Sequence, residues 1–144
     1  MKKLIFLSLF VLPFLANAQF TIVNTSTVSL VDLRPGTWPI SLQRVIKESD
    51  TTYALVFRDQ QYVNDISMAT LRFKNLSQVK FFQQALSALK NGSTGDVARF
   101  KEYTVKRMDE KKGVILYILT CTNGELTNFQ QPDADRMIAA ILPL

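Results

Sequence analysis

The sequence contains no histidine and a single cysteine, Cys121. The first absence removes every arrangement in which imidazole relays a proton, the Ser-His-Asp and Cys-His sets alike, together with histidine-ligated zinc. The second leaves no intrachain disulfide even in an oxidising compartment, so stability must come from packing. Glycine is scarce at five residues, and no glycine-rich phosphate loop, nucleophile elbow or metal-ligand spacing occurs. No metal and no cofactor are expected, and an enzyme built from this chain would have to work with carboxylates.

What is present begins with an address. Lys2 and Lys3 precede an apolar run from Leu4 to Leu15, interrupted by Pro13, and Ala16-Asn17-Ala18 follows with small residues where signal peptidase needs them. A bilayer span needs about 20 apolar residues, more than this run supplies. Residues 1–18 are therefore expected to be a cleaved signal peptide, with Gln19 as the mature N-terminus, no stable membrane span after cleavage, and a periplasmic or secreted location. No cysteine stands near the cleavage site, which argues against a bacterial lipoprotein. The formal charge is +5, and two of the positive charges, Lys2 and Lys3, leave with the signal. The mildly basic remainder, in an exported chain, disfavours nucleic acid as a partner.

Residues 19–144 are read as one α+β domain. Within it, 19–39 hold N-terminal strands, rich in Val, Ile and Thr and broken near Asn24 to Ser26, followed by a turn around Pro35-Gly36 and Pro39. Trp38 is expected to fold back onto the body. Residues 40–91 spell three strands and a helix: Ile40 to Glu48, Thr52 to Arg58 after a turn at Ser49-Asp50-Thr51, and, after the polar loop Asp59 to Asp65, the alternating segment that contains Ala69, Leu71 and Phe73. The period then changes to three and four. Val79, Phe82, Leu86 and Leu89 form an apolar stripe that Phe81 and Ala85 widen, Asn75 and Gln78 stand at capping-box spacing, and Gly92 is placed as the left-handed residue that ends the helix.

Gly92-Ser93-Thr94-Gly95 forms a connector, 92–95, and residues 96–144 repeat the order. Lys101 to Met108, Val114 to Thr122 and Glu125 to Gln130 read as strands, with Asn123-Gly124 as a type I′ hairpin turn. Pro132, at the first helical position, opens a helix with Ala134, Met137, Ile138 and Ile141 inward, and Pro143 stops it. The predicted fold is an antiparallel sheet of about six or seven strands with two helices on one face, in the element order (ββ)-βββα-βββα. A faint echo links Phe73, Leu76 and Phe81-Phe82 to Phe129, Pro132 and Met137-Ile138; whether it marks a duplication stays open at this level.

Three groups of residues bear on function. Cys121 shares a strand face with Ile115, Tyr117 and Leu119 and reads as a buried structural thiol. Asp59, Asp65, Glu102, Asp109 and Glu110 lie at strand ends or in turns, where two of them could form an acid-base pair or hold Ca²⁺, although nothing in their spacing demands either. Arg72, Lys101, Lys106, Arg107, Lys111 and Lys112 form a candidate anionic contact site, interleaved with Tyr103 and Tyr117. The strand from Val114 to Thr122 is apolar on both faces, which demands cover on both; the N-terminal segment with Trp38 is the expected cover, with a second copy or a partner as alternatives. These features point to an exported, non-catalytic envelope protein that binds a protein or glycan partner through its sheet. The alternatives are a soluble carrier or inhibitor enclosing an apolar ligand and a small carboxylate-dependent hydrolase. A monomer is expected, a homodimer being the alternative.

Overall fold

The computed structural model describes residues 24–34, 39–62, 64–110 and 113–144. The signal segment 1–18, Pro35 to Trp38, and Lys111 and Lys112 lie outside the described residues. The chain runs β1 (Thr25–Leu33), β2 (Ile40–Lys47), β3 (Asp50–Arg58), β4 (Met68–Phe73), α1 (Leu76–Lys90), β5 (Val97–Arg99), β6 (Tyr103–Asp109), β7 (Ile115–Cys121), β8 (Leu126–Gln130) and α2 (Gln131–Ile141). The α+β class holds. The single sheet of six or seven strands does not: β1 to β4 and β5 to β8 form two separate antiparallel sheets of four, each in sequence order. Of the expected one or two N-terminal strands, the described residues hold one, β1, which joins the first sheet, and the second sheet gains the short β5. Each half is thus ββββα.

Register shows how closely the halves repeat. In the first sheet Arg44 stands opposite Tyr53 and Tyr53 opposite Phe73; in the second, Arg107 stands opposite Tyr117 and Tyr117 opposite Phe129. The next inward row is Leu42, Leu55 and Leu71 in one sheet and Val105, Leu119 and Thr127 in the other. The helices repeat as well, with Val79, Phe82 and Leu86 buried in α1 and Ala134, Met137 and Ile141 in α2. The echo seen in the sequence slips by one residue inside the helix, because α2 starts directly on β8, at Gln131 with Pro132 second, whereas Lys74 and Asn75 separate β4 from α1.

Each helix bridges both sheets: α1 touches β3 and β4 of its own unit and β5 and β6 of the other, while α2 touches β7 and β8 and also β1. Arg107 fixes the first crossing, its Nη1 donating to the carbonyls of Leu89 (3.0 Å) and Lys90 (2.7 Å) at the end of α1 while its Nε meets Asp109 at 2.8 Å. Arg34 and Arg136 fix the second: Arg34 pairs with Asp133 at 2.8 Å, and Arg136 donates to the Asp32 carbonyl at 2.9 Å. One apolar cluster from Leu33 to Ile141 runs through both sheets and both helices.

Several local expectations change. Asn75 caps α1 as read, accepting from the Gln78 amide at 3.0 Å, while Gln78 reaches back to the Lys74 amide at 2.7 Å. The C-cap, however, is Asn91, and Gly92 has no positive φ. A Cβ there would lie 2.4 Å from the Asp96 carboxylate, which would have to shift to admit it. Phe81 is 55% exposed instead of widening the apolar stripe. The β2–β3 turn is Glu48-Ser49, set by the pairing of Lys47 with Asp50. The β7–β8 turn is not type I′: only Gly124 has positive φ (+93°), and its amide donates to the Cys121 carbonyl at 3.0 Å, the pattern of a tight turn followed by a left-handed bulge residue. Nor does β1 cover the outer face of β7. It is paired along its length with β2 at the edge of the other sheet, and Leu116 and Ile118 on that outer face are half-buried.

Candidate functional site: the groove between the two units

The repeat supplies two equivalent junctions between the sheets, and only one of them is closed. Past β3 the chain crosses to β8. Gln60 donates its amide to the Leu126 carbonyl at 2.8 Å, and the buried Asp59 carboxylate accepts the Leu126 amide at 3.0 Å. The Gln60 side chain completes the seam, donating to Thr127 Oγ1 at 3.2 Å and accepting from Asn128 Nδ2. A strand edge that would otherwise expose unpaired backbone is satisfied by the protein's own chain.

By register, Asn123 and Gly124 after β7 correspond to Asp59 and Gln60, and Thr70, Leu71 and Arg72 of β4 correspond to Leu126, Thr127 and Asn128. The local geometry supports this equivalence, since Asp59 Oδ1 accepts from the Gln61 amide (3.0 Å) and Asn123 Oδ1 from the Glu125 amide (3.3 Å), the same side-chain turn in both places. The second junction is nevertheless open. The β7–β8 turn doubles back at once, Cys121 donating its amide to the Glu125 carbonyl at 2.8 Å, whereas the connection from Asp59 to Ser67 is long enough to reach across. Between β4 and that turn lies a groove of about 500 Å³. Thr70, Arg72 and Lys74 form one wall, Glu102, Asn123 and Glu125 the other, with Phe73 and Cys121 buried at its floor. It continues past Arg72 and Phe73 onto an apolar shelf made by Phe81 and Phe100, the latter stacked on Tyr103 at 4.5 Å.

β4 is the outermost strand of its sheet, and among the described residues no backbone bond reaches it from the groove side. Every second residue of such a strand turns its N–H and C=O away from its one neighbour.

The structure divides the basic residues singled out in the sequence. Arg72 and Lys101 share the groove and its shelf. Lys106 lies exposed on the outer face of the second sheet, opposite Ile118. Arg107 is withdrawn from any contact surface: it is buried, occupied by α1 and Asp109, and held charged chiefly by the Asp109 hydrogen bond, which raises its pKa. The carboxylates that gather at the groove, Glu102 and Glu125, include one that the sequence flagged and one that it did not. Asp59, flagged as a potential acid-base residue, is the buried clasp of the closed junction. Cys121 lines the groove, yet burial, and after it the charges of Glu125 and Asp59, push its thiol up to about 11, which keeps it protonated and poorly nucleophilic at neutral pH. Among the described residues no group of three acidic, thiol or imidazole side chains converges to hold a metal ion. No family model and no curated protein matches the sequence.

Proposed function

We propose that the chain is an exported, non-catalytic envelope protein that binds a protein or glycan partner through its first sheet, at the groove beside β4. The observation that carries this reading is the unequal pair of junctions: one strand edge is engaged at Leu126 by the Gln60 backbone and the Asp59 and Gln60 side chains, and its equivalent is left open along a groove with a charged rim. The protonated state of Cys121 argues against nucleophilic chemistry in the same place. A carrier would need an apolar cavity enclosing its cargo, whereas Arg72, Lys74, Glu102 and Glu125 rim this groove. Residues 1–18 and their short apolar run support the exported address.

A photo-reactive amino acid placed at Arg72, with Gln84 on the exposed face of α1 as the control position, tests the site in the native envelope. Adducts are expected from position 72 and not from position 84. Equal adducts from both, or none from 72, would overturn the assignment of the groove.

A further inference from the structure

Resting on that reading of the groove, we infer that its occupant is an extended peptide segment that adds to β4 as a fifth strand of the first sheet and presents a carboxylate side chain to Arg72. The protein contains its own template for the complex. At the closed junction the occupant of the equivalent edge is the Asp59-Gln60 stretch: the Gln60 amide donates to the Leu126 carbonyl, the Asp59 carboxylate accepts the Leu126 amide, and the Gln60 side chain is met by Asn128. At the open edge Thr70 replaces Leu126 and Arg72 replaces Asn128, an exchange of an amide for a cation. Where Asn128 donates to the Gln60 side-chain oxygen, Oε1, Arg72 is suited to a carboxylate, and its guanidinium makes no hydrogen bond or ion pair among the described residues. Strand addition also matches what the edge offers, a row of main-chain groups for affinity and alternating side-chain positions for selectivity.

The opposite wall narrows the ligand further. Glu102 and Glu125 stand across from Arg72 and Lys74, so a uniformly acidic segment meets repulsion on one side. The fit is for one carboxylate within an otherwise neutral or basic strand, with an apolar side chain reaching the Phe81 and Phe100 shelf. A second copy of this chain is a poorer occupant, because edge-to-edge pairing of two β4 strands crowds the Arg72 and Lys74 of both copies onto one short edge.

The test is selection of seven-residue peptides from a random library on residues 19–144, followed by measurement of the synthetic winners. Winners are expected to carry Asp or Glu at a fixed position and to lose at least about tenfold in affinity on Arg72→Glu, the loss being reversed when that acid is changed to Lys. N-methylation of alternate backbone amides in the peptide should abolish binding, whereas Lys80→Glu on α1 should leave it unchanged. No winners, winners indifferent to N-methylation, or a dimer of the chain that forms through β4 and excludes peptide would each overturn the inference. A glycan captured by cross-linking from position 72 would overturn it too while leaving the groove as the binding site; no adduct at 72 would instead remove the reading on which it rests.

Discussion

Gly92 is fixed by its neighbour, not by its backbone. The Asp96 carboxylate that occupies the space of a Cβ accepts the Ser93 amide at 2.7 Å, so Gly92→Ala should displace it and cost about 1 kcal/mol, the worth of that hydrogen bond. In an Asp96→Ala background the same change should cost only about a few tenths, because the two sites share one interaction. Additive losses in urea unfolding would show that the clash is not the cause. The sequence offered glycine after a helix and so suggested a left-handed stop; the neighbour that sets the requirement is four residues away and follows no periodic pattern. Cys121, by contrast, was legible, because its strand neighbours at two-residue spacing already spelled a buried face. Alkylation of the folded protein at pH 8 should run about two orders of magnitude slower than in denaturant and accelerate toward the raised thiol value of about 11. Rapid labelling of the native thiol at pH 8 would contradict its burial.

At the scale of elements, periodicity was a good guide and contact partners were not. The stripe on α1 places Phe82 fully buried against Phe73 (ring centroids 5.5 Å) and Tyr103 (5.9 Å). Phe82→Ala should cost about 3–5 kcal/mol and exposed Gln84→Ala about 0.5 or less, so melting curves that coincide would mean the helix faces the other way. That Tyr103 comes from the second unit could not be read from spacing, since the helix stripe says how wide its cover is and not whose. The two helices also meet through Lys90 and Asp135 at 2.8 Å. The Lys90 hydrogen bond, and more weakly one from Gln131, hold the Asp135 carboxyl below its ordinary 3.8 against the opposing effect of burial. A depressed folded-state value stabilises above the unfolded carboxylate range and loses that contribution as pH falls through the folded value. Asp135→Asn should therefore lower the urea midpoint slightly at pH 7, the pair being half-exposed and screened, and the difference should vanish by about pH 2. A gap between variant and parent that widens with acid would reverse the assignment.

For the whole molecule the hairpins were visible in the sequence, and the split into two sheets was not. Turn residues report on strands adjacent in the chain, while the failure of β4 to pair with β5 depends on α1 standing between them and on a β5 of only three residues. The groove was illegible for the same reason: Arg72 and Lys101 meet, and Arg107 does not join them, because of how two similar units dock. Because each helix crosses to the other unit, neither half has its own closed core. Residues 19–91 and 92–144 made separately should each lack native side-chain dispersion in NMR spectra and should recover it on mixing, and a native spectrum from either half alone would contradict the shared core. The same crossing has a consequence in time. In chain order β1 is the first described element and α2 the last, their contacts spanning 99 residues from Arg34 to Asp133 and 104 from Asp32 to Arg136. Local hairpins can close early, but the inner face of the first sheet waits for α2, and closing so long a loop is slow. Throughout that interval the folding chain carries Leu33 and its neighbours uncovered, which exposes it to holding chaperones until α2 docks.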